Sequence, residues 1–232
     1  MILYCSLAME SYLAAVAVRD ADWRAGGTPP MASRLPVEPP HAGPILPPCQ
    51  LQLWKAVQDG DVDAAGAALA DGARCATANR MGWTALHRAA MVGSGECIAL
   101  LTNHVRRLGF DARPLLHAAD SAHNTALHYA AGLGHADVVS ALCKAGADAN
   151  RQREGDDGAT PMHCCCAAIA DADADAHRQE ALYRTALALI AGGGLLEATD
   201  ACGRLAAARL RRVQMFRLLD LVRTAQHRPV GT

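Results

Sequence analysis

Thr84-Ala85-Leu86-His87 is written again as Thr125-Ala126-Leu127-His128, and a third time, with substitutions, as Thr160-Pro161-Met162-His163. Each copy runs on into a small pair, Ala89-Ala90, Ala130-Ala131 and Cys165-Cys166, and the first two reach Gly93 and Gly134 at the same offset. A phrase repeated in register means an array, in which each unit buries its apolar face only by stacking on a neighbour. Arrays act through surface rather than through one deep cleft.

The composition agrees. Half the residues are hydrophobic (51%), yet only 4% are aromatic, with two Phe and four Tyr. Cores of Ala, Leu, Val and Cys suit closely approaching helices and would fill a β-sandwich poorly. A formal net charge of -1 argues against a dedicated polyanion binder. Nine cysteines, an odd number without framework spacing and several in positions that elsewhere hold Ala, point to reduced, buried thiols. No apolar stretch reaches membrane-spanning length. Met1 to Val18 is broken by Glu10 and Ser11 and lacks the basic residues that precede a secretory apolar segment. The expectation is a soluble, intracellular and cytoplasmic protein with no membrane partner.

Outward from the repeated phrase, residues 1–27 read as a possible helix carrying Leu3, Leu7 and Leu13, and 28–50 as a proline-rich flexible linker. Met31 is an alternative start. From Leu51, the stripe Leu53, Ala56, Val57 stops at Gly60, and Ala64, Ala65, Ala68, Leu69 stops at Gly72. Leu51 stands in the Thr84 slot, a period of 33. The array covers 51–222, with units at about 51–78, 79–119, 120–154 and 155–199, a degenerate cap at 200–222 and a disordered tail at 223–232. Thr84 to Thr125 is 41 residues, so an insertion lies near 102–119. A longer one lies in the fourth unit near 171–182, expected as a loop around Asp171-Ala172-Asp173-Ala174-Asp175. In the cap, Leu205 and Ala208 replace the Thr and His, with Leu210, Val213, Phe216 and Leu219 expected inside and arginines outside.

The spacing Asn79-x-x-Gly82-x-Thr84-Ala85-Leu86-His87-x-Ala89-Ala90-x-x-Gly93 resembles the ankyrin repeat. So does Thr125 through Gly134-His135, Val138-Val139 and Leu142 to Gly146-Ala147-Asp148-Ala149-Asn150. The resemblance implies an all-α ankyrin-repeat solenoid of about four repeats plus the cap. It also implies that the motif residues Thr84, His87, Thr125, His128, Thr160 and His163 are framework, each His bonding to backbone and tying neighbouring repeats together. No Cys or carboxylate completes a four-ligand metal set around these histidines at plausible spacing, so no metal is expected.

In that family partners bind the concave surface made by hairpin tips and first helices. The matching positions are Arg80, Met81 and Trp83, with Met91 and Val92, in the second unit. Asn124 and Leu133, beside Ala122, represent the third, and Asp156 and Asp157 the fourth. A tip Trp beside Met and Arg has the composition of an interface centre, although it could also pack on the neighbouring tip. The implied function is non-catalytic binding of another protein, as adaptor, scaffold or subunit of an assembly, with no cofactor, small-molecule substrate or nucleic acid. Two alternatives stand beside it: a thiol-dependent or redox enzyme using the Cys164 region, and RNA or acidic-partner binding through Arg204, Arg209, Arg211, Arg212, Arg217, Arg223 and Arg228. Asn150 matches a position at which some ankyrin proteins resemble substrates of an asparaginyl hydroxylase.

Overall fold

The structure is a computed structural model that describes residues 47–154, 157–172 and 175–226. The expected helix at 1–27, nearly all of the linker, Asp156, the centre of the Asp/Ala run and the last residues of the tail lie outside the described residues.

Ten α-helices follow one another among the described residues: α1 (Pro48–Asp59), α2 (Val62–Ala70), α3 (Ala85–Val92), α4 (Gly95–Arg107), α5 (Arg113–Leu116), α6 (Ala126–Leu133), α7 (Ala136–Ala145), α8 (Pro161–Asp171), α9 (Ala176–Ala191) and α10 (Arg212–Gln226), with a 3-10 turn at Ala206–Arg209. They stack in two layers. The first helices α1, α3, α6 and α8 pack in sequence and end on the 3-10 turn, while the second helices α2, α4, α7, α9 and α10 form the other layer.

Local chemistry explains the starts and stops. Helices α3, α6 and α8 each begin directly after Thr84, Thr125 and Thr160, held in extended backbone. Gly60, Gly93, Gly134 and Gly146 close α1, α3, α6 and α7 in the left-handed region, which a glycine enters without steric cost. The small pairs Ala89-Ala90, Ala130-Ala131 and Cys165-Cys166 are fully buried between helices.

Four expectations change. The first helix starts at Pro48 rather than Leu51, because a proline at N1 has no N–H to lose. The fourth-unit insertion is mostly helix: α8 has 11 residues where α6 has 8, and α9 has 16 where α7 has 10. Ile169, Leu182, Tyr183, Ala186 and Leu189 are all buried, so the lengthened helices keep an apolar stripe to pack. In the cap, α10 buries Gln214, Met215 and Leu218, while Val213 is 79% and Phe216 56% exposed. Gln214 turns inward because its amide donates to the Ile169 carbonyl at 3.0 Å. The tail boundary also moves, since α10 runs to Gln226.

The tips between repeats are held by backbone and carboxylate bonds. Ser121 N–H donates to the Met81 carbonyl (2.9 Å) and Ala201 N–H to that of Asp157 (3.0 Å), joining successive tips. Gly82 sits at φ +78°, and a Cβ there would lie 2.8 Å from the Asp120 Cα, so only glycine fits. In the next unit the same slot holds His123, at φ 60°.

Candidate functional site

The three motif histidines repeat one geometry. In each, the Thr backbone N–H donates to the ring Nδ1: Thr84 to His87 (3.1 Å), Thr125 to His128 (3.2 Å) and Thr160 to His163 (3.2 Å). With Nδ1 accepting, the ring carries its proton on Nε2, which donates across to the next repeat. The acceptors are the carbonyls of Asn124 (3.1 Å), Ala159 (3.1 Å) and Arg204 (3.0 Å). Burial pushes all three pKa values down, His128 to about 4, so the rings are neutral and both nitrogens are occupied.

Trp83, expected as a surface anchor, is buried to 2% exposure. Its indole Nε1 donates to Asp120 Oδ2 at 3.0 Å. The reason is a carboxylate that the sequence reading did not single out. Asp120 is itself buried and also accepts the Tyr129 hydroxyl on Oδ2, with the N–H groups of Ala122 (2.9 Å) and Asn124 (2.8 Å) on Oδ1. Burial, and then the bond to Asp120, push the Tyr129 phenol well above its usual range. Met91 is 8% exposed and Asn124 2%, so these two also leave the surface. The Asn124 side-chain oxygen accepts Arg153 Nη1 at 3.0 Å, and Arg153 in turn pairs with Asp157.

What stays accessible is a different set. Arg80 is exposed and Val92 is 42% exposed, while Met81, Leu133 and Asp157 are half-buried. Met81, Leu133 and Tyr129 lie against the buried trio Trp54, Trp83 and Met91. Arg88 sets its guanidinium 5.9 Å from the ring centres of both Trp54 and Trp83. Arg88, Tyr129 and Cys164 each follow a motif His by one residue, so the same slot on three adjacent first helices faces one side. That register was the signal that could have found them. Trp54 occupies the His slot of the first unit and is buried.

The thiols beside His163 are not poised for nucleophilic chemistry. Cys165 and Cys166 are fully buried, and burial raises both, Cys166 to about 12. Cys164 is half-buried, and loss of solvent around its sulfur raises it too. A reactive cysteine needs the opposite shift. Among the described residues no group of three His, Cys, Asp or Glu side chains is gathered to hold a metal ion. At the cap, Arg204 is bound to Asp200 (2.8 Å), and Arg217 to Glu180 (3.1 Å) while lying 4.8 Å over the Tyr183 ring. Burial alone would raise the Asp200 carboxyl, but bonds from the Arg204 backbone and side chain hold it below its usual range. Asn150, at its turn, donates to the Gly193 carbonyl (2.8 Å) and accepts Leu195 N–H (2.9 Å), stapling the third unit to the fourth.

The two-layer stack and its histidine ties define a helical-repeat solenoid. A family model for ankyrin repeats (3 copies) matches residues 53–153 and 106–173, together more than half of the chain. The chain belongs to the ankyrin repeat family. Ankyrin repeats are generally protein–protein interaction modules and typically non-catalytic. No helix of the described residues is long and apolar enough to cross a membrane.

Proposed function

We propose that this chain is a non-catalytic adaptor or scaffold that binds a protein partner on the face formed by its hairpin tips and first helices, in an intracellular, reducing compartment. One observation carries the reading. The motif side chains are buried and hydrogen-bonded, whereas the slot after each motif His stays half-exposed on adjacent first helices, as Arg88, Tyr129 and Cys164. Scaffold and recognition are therefore carried by alternate residues of the same helix, which is how a repeat keeps its fold while its surface varies.

The candidate partner-binding residues are Arg80, Met81, Arg88, Val92, Tyr129, Leu133 and Asp157. Trp83, Met91 and Asn124 support them from beneath. Near Arg88 the face is apolar and cationic, and at its other end Asp157 forms an ion pair with Arg153. A partner with an apolar anchor flanked by charges of both signs matches this order. The side chains of Cys75, Cys97, Cys165 and Cys166 are buried as thiols, in keeping with a reducing compartment.

Arg80→Glu combined with Val92→Asp tests the face, since both side chains are exposed and the double variant should keep the wild-type circular dichroism. A binding partner captured by wild type and lost by the variant supports the reading. A partner held equally by both moves the site elsewhere on the array.

A further inference from the structure

The chain has two phenylalanines, and both are more than half exposed: Phe110 at 67% and Phe216 at 56%. Phe110 lies in the second-unit insertion, two residues after Leu108, which is 59% exposed. This stretch is extra to the repeat. In the same unit α4 is extended to 13 residues and the insertion then turns through α5, whose Leu115 and Leu116 are buried. Leu115 and Leu116 thus anchor the insertion, while Leu108 and Phe110 are left outside.

Cations flank the pair in the chain. Arg106 and Arg107 end α4, and Arg113 begins α5. Among the described residues no carboxylate pairs with any of the three. The nearby acid, Asp111, turns its carboxylate to the Arg113 backbone N–H at 2.9 Å. Arg106 is held in place by donating to the Ala145 carbonyl at 2.7 Å. Two shallow hollows lie alongside. One, of about 530 Å³, is lined by Gly66 and Ala70 of α2 together with His104, Arg107 and Leu108. The other, of about 600 Å³, is lined by Leu100, Asn103, Arg106 and Arg107.

Cations in a last helical turn complement the helix dipole, and that alone can account for Arg106 and Arg107. It does not account for Arg113 at the start of a helix, nor for two large apolar side chains set in solvent beside it. We propose that the Leu108–Arg113 insertion and the adjoining end of α4 form a second docking surface, whose partner is an acidic protein segment carrying a bulky apolar side chain. The partner's anchor covers Leu108 and Phe110 beside the Gly66/Ala70 hollow, and its carboxylates meet Arg106, Arg107 and Arg113. A cluster of three cations argues against a second copy of this chain as occupant, because symmetric pairing would bring like-charged clusters together. The surface is carried by the second helices and is independent of the first-helix face.

The test uses fluorescence anisotropy with the full chain and short labelled peptides. One peptide carries a Leu/Phe anchor in a Glu/Asp-rich background. A second has the anchor replaced by Ser, and a third has the acids replaced by Gln. The first is expected to bind wild type, to weaken about tenfold or more with Leu108→Ser/Phe110→Ser and with Arg107→Ser/Arg113→Ser, and to be unaffected by Arg80→Glu/Val92→Asp. Both comparison peptides are expected to bind more weakly, and the first to lose affinity as salt is raised. All substituted side chains are exposed, and unchanged circular dichroism establishes that the variants fold. Failure of the acidic anchored peptide to bind, or equal binding by the insertion variants, overturns the proposal. So does loss of binding only in the Arg80/Val92 variant, which would assign the peptide to the first-helix face. Sedimentation as a dimer dissolved by Phe110→Ser, or Phe110-dependent binding of an oligoribonucleotide or anionic vesicles in place of the peptide, also overturns it.

Discussion

His128 gives the sharpest prediction, because its two bonds and its burial all act on one titration. Thr125 N–H occupies Nδ1 at 3.2 Å, and Nε2 donates to the Ala159 carbonyl at 3.1 Å. Protonating Nδ1 breaks the first bond and places a charge in the stack. Burial is the main cause that lowers the folded pKa from 6.5 to about 4. The unfolded chain therefore takes up this proton near pH 6.5, while the folded chain resists until about pH 4. The stabilising contribution is complete above pH 6.5 and is lost as pH falls through that window. The full span corresponds to about 3 kcal/mol, of which about 2 kcal/mol is gone by about pH 5. Against a usual total of about 5–15 kcal/mol, that is a large part of the stability. Burial lowers His87 and His163 in the same direction, so the wild-type slope is steeper than one histidine gives. Urea unfolding followed by circular dichroism at about pH 7.5, 6 and 5 measures it, with His128→Gln as the comparison. The variant is less stable at neutral pH, since the Thr125 N–H and the Ala159 carbonyl lose their partner, by about 1–3 kcal/mol. Its stability falls less between neutral pH and about pH 5, by about 2 kcal/mol. Equal slopes for the two proteins would refute the reasoning.

Three further outcomes follow from the packing. Asp120→Ala leaves the Trp83 indole N–H and the N–H groups of Ala122 and Asn124 without their acceptor, and should cost about 2–4 kcal/mol in urea unfolding. A shift in Trp83 emission should accompany it, and an unchanged midpoint would remove Asp120 from its place at the centre of the tip. On α10, Leu218→Ala should cost about 2–4 kcal/mol while Val213→Ser stays within about 0.5 kcal/mol. The reverse order would restore Val213 to the inside of the cap. Under native conditions a thiol reagent should modify the exposed Cys202 quickly and leave Cys97, Cys165 and Cys166 untouched until the chain unfolds. Rapid native labelling of Cys165 or Cys166 would contradict their burial.

The repeat register, the helix starts after each motif Thr and the closing glycines were legible from local chemistry alone. A Thr in extended backbone, a small pair at fixed offset and a glycine in the left-handed region act over a few residues, so their spacing carries the fold. The assignment of Cys165 and Cys166 to buried small-residue slots rests on the same register. Side-chain direction at the tips was not legible. Trp83 lies at a tip in the chain, yet it turns inward because Asp120, 37 residues on, offers an acceptor. The cap stripe misled for a similar reason. Val213 and Phe216 are as apolar as Met215 and Leu218, and which side faces α9 is set by packing and by the bond from Gln214 to Ile169.

The sequence by itself determined that this chain is an array, its period, and which small and motif residues its helices bury. The physical reason is that each unit's hydrogen bonds and apolar stripe close within one period or against an identical slot in the next. Only the tertiary structure decided which variable residues reach solvent. That choice depends on pairings across units: Trp83 with Asp120 and Arg153 with Asn124 turn side chains inward, while Leu108 and Phe110 find no partner in the stack and stay exposed.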